Sequence, residues 1–125
     1  MRVGSGLVLL LFGLQAGPVL AADCTVAPFS TVPGADVTLR WTVRSGHPCE
    51  LLLTAGPGID VSDMRVVEVA ADGTAAVPGL NVIRYVPRPR FVGHDRFVVE
   101  RTAEAMARRV LRGTARWTVE VDVVP

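Results

Sequence analysis

The chain has no lysine; all thirteen of its basic residues are arginine. Histidine occurs twice (His47, His94) and cysteine twice (Cys24, Cys49). Two histidines are too few for a copper–zinc dismutase site. A blue-copper arrangement draws Cys, His and Met from one short segment, and no histidine or methionine closely follows Cys49. There is no GxGxxG, no P-loop and no alternation of strand and helix patterns, which excludes the common nucleotide-binding α/β folds. Ser30, Ser45 and Ser62 lack a nucleophile-elbow context, and Glu100 and Glu104 read as surface charge, so no catalytic residue is assigned and no enzyme is expected. The formal net charge is only +1, without the basic footprint of a nucleic-acid binder. Beyond residue 22 no apolar run approaches the roughly 20 residues that a membrane-spanning helix needs.

The N-terminus has its own character. Met1 and Arg2 give a positive start, Leu7–Leu14 is apolar, Gly17-Pro18 breaks the run, and Val19-Leu20-Ala21 ends in small residues. This is the layout of a secretory signal. Residues 1–21 are expected to be removed, by cleavage after Ala21 or Ala22, leaving 22–125 as one domain of ordinary size. Asp23 stands before Cys24, which argues against a lipoprotein. The expected location is periplasmic or secreted, and the mature chain is expected not to span a membrane. In an oxidising compartment an even cysteine count predicts a Cys24–Cys49 disulfide.

Alternation with a period of two dominates the rest. Val37, Leu39, Trp41 and Val43 face one way and Thr38, Arg40 and Thr42 the other, the pattern of a half-buried strand. Cys49–Leu53, Met64–Val69 and Thr74–Val77 read as further strands, with a hairpin signal at Ala71-Asp72-Gly73. Leu111, Gly113, Ala115, Trp117, Val119, Val121 and Val123 share one face of a long final strand paired with the one begun by Phe97-Val98-Val99. Thr102–Arg109 has helix-forming composition and predicts a hairpin crown with one helical turn. Strands at this spacing predict an all-β, antiparallel, immunoglobulin-like β-sandwich of about seven strands.

One stretch carries a more specific pattern. Tyr85-x-Pro87 followed by Phe91-x-Gly93-x-Asp95-x-Phe97 resembles a motif of bacterial immunoglobulin-like and cadherin-like domains, which occur in large secreted and surface proteins. The resemblance covers thirteen residues. Physically, Tyr85 and Phe97 face the core, with the Tyr85 hydroxyl free to cap backbone at a corner. Pro87 and Pro89 keep the connection extended, Phe91 plugs the end of the sandwich, Gly93 permits a positive φ and Asp95 accepts backbone N–H bonds. The cysteines depart from the usual immunoglobulin disulfide through the core; their bridge is expected to tie down the N-terminal edge.

Charge is distributed unevenly. Asp23–Ile83 holds seven acids against three arginines, and Arg84–Pro125 nine arginines against five acids. Guanidinium groups suit carboxylate, phosphate or sulfate. Arg88, Arg90, Arg108, Arg109 and Arg112 are therefore candidates for docking an anionic partner, a protein or an anionic glycan or envelope surface. The chain reads as a small exported binding or structural module. The alternative is a periplasmic copper-type metal-binding protein using His47, His94 and a thiol. Their spacing is wrong for such a site, and no metal ligand or cofactor is assigned. Asp60-Val61-Ser62-Asp63, with Asp72 or Asp95, is the weaker candidate for calcium and reads instead as a solvated acidic loop.

Overall fold

A computed structural model describes residues 23–53, 58–106 and 110–125. The proposed signal segment, residues 1–21, lies outside them, as do Arg108 and Arg109. The described chain forms eight strands: β1 (Cys24–Val26), β2 (Val37–Arg44), β3 (Cys49–Leu52), β4 (Ile59–Glu68), β5 (Gly73–Gly79), β6 (Val82–Pro87), β7 (Gly93–Met106) and β8 (Val110–Val124). They build a five-stranded sheet, β1-β2-β8-β7-β4, and a three-stranded sheet, β3-β6-β5. The fold is an all-β sandwich. The arrangement of β4-β7-β8 opposite β3-β6-β5 follows the C-F-G and B-E-D strand sets of the immunoglobulin pattern.

The alternation in the sequence sets which side chains fill the space between the sheets. Leu39, Trp41 and Val43 from β2, Trp117, Val119, Val121 and Val123 from β8, Phe97 and Val99 from β7, and Ile83 and Tyr85 from β6 are all buried in one cluster. At its centre the Phe97 ring stacks on Tyr85 (centroids 5.7 Å, planes 7° apart) and meets Trp41 edge-on at 5.8 Å. Such aromatic pairs add roughly 0.5–1.5 kcal/mol each beyond the area they bury. On the outer face of the large sheet Val98 is also fully buried. Its neighbour across the ladder is Glu68, which pairs with both Arg96 (3.2 Å) and Arg116 (2.6 Å).

The expectation of a purely antiparallel sandwich fails at one ladder. β2 runs parallel to β8, with Leu39 beside Val119, Trp41 beside Val121 and Val43 beside Val123. Alternation specifies the face a strand buries but not its direction, so this pairing is invisible in the pattern.

Two other expectations are overturned. Ala71-Asp72-Gly73 does not close a hairpin, because β4 pairs with β7 in one sheet and β5 with β6 in the other. The link crosses between sheets, and the hairpin lies at Leu80-Asn81, where Asn81 takes φ +68°. The helical turn expected in Thr102–Arg109 is absent through Met106. Instead the ladder continues, with Thr102 opposite Thr114, Glu104 opposite Arg112 and Met106 opposite Val110. The Thr102 and Thr114 hydroxyls hydrogen-bond at 2.8 Å. Cross-strand pairing outweighs the helix propensity of these residues.

Cys24 and Cys49 form the disulfide. It joins β1, at the edge of the large sheet, to β3, at the edge of the small one. The bridge thus holds the N-terminal edge, as expected, and also clamps the two sheets together.

Candidate anion-binding cleft

The motif stretch is built around Asp95. Its carboxylate is almost fully buried, at 4% exposure. It accepts the backbone N–H groups of Ala71 (3.0 Å), Asp72 (3.1 Å) and Arg96 (2.8 Å) and the Tyr85 hydroxyl (2.8 Å). The Tyr85 hydroxyl therefore caps a side chain, not backbone. Burial, reinforced by the bond to Asp95, pushes the Tyr85 hydroxyl well above its ordinary range. Gly93 takes φ +142° as expected, and Phe91 packs on the core. Pro89 departs from the expected extended connection. The Phe91 N–H donates to the Arg88 carbonyl at 3.0 Å and Arg90 sits at φ +65°, so Pro89-Arg90 occupies the centre of a tight turn. The constellation is structural: it joins the crossover, the β4–β5 link and both sheets.

The candidate arginines do not form one patch. Arg88 and Arg90 precede the start of β7, whereas Arg112 sits opposite Glu104 near its far end, roughly 35 Å away at about 3.3 Å per residue. Arg88 has its own partner, Asp72 at 2.8 Å, and its guanidinium lies 5.4 Å from the centre of the Phe91 ring. Arg90 and Arg112 are exposed and make no ion pair among the described residues.

The arginine that stands apart is Arg101 on β7, which is 7% exposed. The odd positions of β7 face inward: Phe97, Val99 and Ala103 are buried, and Arg101 falls in the same register. That parity was the available signal in the sequence. Its guanidinium lies 5.0 Å from the centre of the Trp117 ring, a favourable cation–π stack. No ion pair or hydrogen bond reaches it among the described residues, and its Nε is buried without a partner. Burial lowers its proton affinity, though a guanidinium stays charged at any ordinary pH.

Arg101 lines an open cleft of about 380 Å³ between β3 and the β7–β8 hairpin. Phe29, Leu51, Leu53 and Trp117 supply apolar wall, and Ser30 and Thr31 supply hydroxyl groups. Phe29 meets Trp117 edge-on at 5.8 Å, fixing the floor. A second cleft of about 390 Å³ runs along Gly73, Thr74, Val86 and Arg88. The two are alike in size and differ in charge balance. Arg88 is neutralised by Asp72, whereas Arg101 is the one charged residue among the described lining of its cleft and has no counter-ion there.

The remaining candidates are dispersed. His94 bridges Glu120 (2.8 Å) and Asp122 (3.2 Å) on the exposed face, and the bonds to Asp122 and Glu120 raise its pKa above the usual value. His47 lies 3.5 Å from Asp23. Both thiols are consumed by the disulfide. Among the described residues no group of three or more His, Cys, Asp or Glu is arranged to hold a metal ion. Asp60 and Asp63 lie within β4, not in a loop, while Asp72 is paired with Arg88 and Asp95 is enclosed by its four donors. The Ser45 hydroxyl donates to the Phe91 carbonyl at 2.8 Å.

Among the described residues no helix is long and apolar enough to cross a membrane. Comparison with known proteins finds no family model and no curated protein that matches the chain.

Proposed function

We propose that this chain is a small exported, non-catalytic binding module that docks an anionic partner on the hairpin half of its sandwich. The observation that carries the reading is Arg101: a buried guanidinium with no carboxylate partner among the described residues, facing an open cleft. A protein interior tolerates an unpaired charge poorly, so an incoming anion gains a partner that water no longer supplies. Arg112 is exposed farther along the hairpin, on the opposite face of the sheet from Arg101. Export is supported by the signal-like layout of residues 1–21 and by the Cys24–Cys49 bridge. The resemblance to immunoglobulin-like and cadherin-like domains of secreted proteins points to the same class, with the reach of a fold-level analogy.

The test is retention of the mature protein on an immobilised carboxylated or sulfated polysaccharide, eluted with salt. Arg101→Met should lower the salt needed for elution, and Arg88→Gln should not. Retention that is absent, or unchanged in Arg101→Met, would overturn the reading.

A further inference from the structure

The geometry points to a specific ligand class for the Arg101 cleft: a small amphiphile with a single carboxylate on an apolar body. This rests on the anion-docking reading above and adds what the anion is attached to.

The wall chemistry selects the body. Phe29, Leu51, Leu53 and Trp117 leave Ser30 and Thr31 as the only polar side chains beside Arg101 in the described lining. A fully hydrated anion seated there would leave the half-buried Phe29, Leu51 and Leu53 exposed, whereas an alkyl or aromatic tail would cover them. At about 380 Å³ the cleft lies at the lower end of the sizes that hold small ligands. Leu52, 70% exposed at the rim, continues the apolar track outward.

The charge selects the head. One guanidinium balances one negative charge, and no second cation lines the cleft among the described residues. A phosphate dianion would therefore bring in a charge that nothing there compensates. A carboxylate matches both the charge and the planar fork of arginine. Trp117 holds that fork from below, so its orientation is fixed before the ligand arrives and less freedom is lost on binding.

The experiment is a titration of the mature protein with octanoate, octanol, octyl phosphate and acetate, followed by tryptophan fluorescence and calorimetry. Trp117 contacts the site and Trp41 is buried in the core, so Trp117→Phe assigns the optical signal. Octanoate should bind about tenfold or more tightly than octanol, acetate or octyl phosphate. Arg101→Met should remove that advantage over octanol. The comparison among ligands uses the unaltered protein, so it stands even if the variant folds poorly. If acetate binds as tightly as octanoate, in an Arg101-dependent way, the amphiphile class is wrong while anion docking survives. If octyl phosphate binds more tightly, the single-charge argument is wrong. If no anion shows an Arg101-dependent response, both readings fall.

Discussion

The Tyr85 hydroxyl donates a 2.8 Å hydrogen bond to Oδ2 of Asp95, across the interior from β6 of the small sheet to β7 of the large one. The same carboxylate holds two amides of the β4–β5 link, so three segments of the chain meet at one buried carboxylate. Asp95→Ala would leave the hydroxyl and those amides without an acceptor and should cost about 3 kcal/mol or more in urea unfolding. Tyr85→Phe should cost about 1–2 kcal/mol. A double-mutant cycle reads the coupling directly, and additive losses would show that the two residues act independently.

The raised Tyr85 ionisation makes a separate prediction at alkaline pH. The unfolded chain releases this proton near pH 10, whereas the folded protein retains it well above that value. This contribution to stability is complete below about pH 10 and is lost as pH rises further. Tyr85→Phe should flatten the alkaline slope of stability; an unchanged slope would assign it to other groups.

Gly113 sits where β8 passes the Pro33-Gly34 turn. A methyl group at position 113 would lie 2.6 Å from the Gly34 Cα and 3.1 Å from its backbone nitrogen. Neither atom can swing away as a flexible side chain would. Gly113→Ala should therefore destabilise the domain by about 1–3 kcal/mol, read as a lower melting temperature. An unaffected melting temperature would mean that the turn and the strand are not held this close.

Arg90 carries a positive φ without being glycine. That conformation costs an L-residue roughly 1 kcal/mol, and glycine would adopt it freely. Arg90→Gly should raise stability by about 0.5–1 kcal/mol. Any loss of stability would show that the exposed side chain makes a contact strong enough to offset the strain.

Reduction of Cys24–Cys49, 25 residues apart, should lower stability by roughly 3 kcal/mol through the freedom regained by the unfolded chain. Thermal unfolding with and without reductant measures it. Equal melting temperatures would make the bridge energetically neutral.

The elements whose faces alternate were legible in the sequence because burial follows period two. Trp41 and Trp117 lie in the core as their parity requires, and Gly93 takes the positive φ that its turn position suggested. Strand direction and sheet membership were not legible. The parallel β2–β8 ladder and the crossing at Ala71–Gly73 depend on which surfaces meet in three dimensions. Thr102–Met106 shows a local preference overridden by a cross-strand partner. For the candidate cleft, the sequence showed an arginine-rich region but not its division: Arg88 satisfied, Arg112 exposed, Arg101 turned inward.

The parallel ladder has a consequence for how the fold is reached. Val37 lies beside Trp117, 117 − 37 = 80 residues later, so β2 cannot take its place in the sheet until nearly the whole chain is available. Before then β2 has only the three-residue β1 as a ladder partner. The β7–β8 hairpin can form from neighbouring sequence, but the sandwich closes only when a remote strand finds its edge, a step with a large loop-closure cost. Folding is therefore late and depends on the C-terminal strand. A chain passing N-terminus first through a narrow channel would lack the β8 partner of β2 until its last strand emerged.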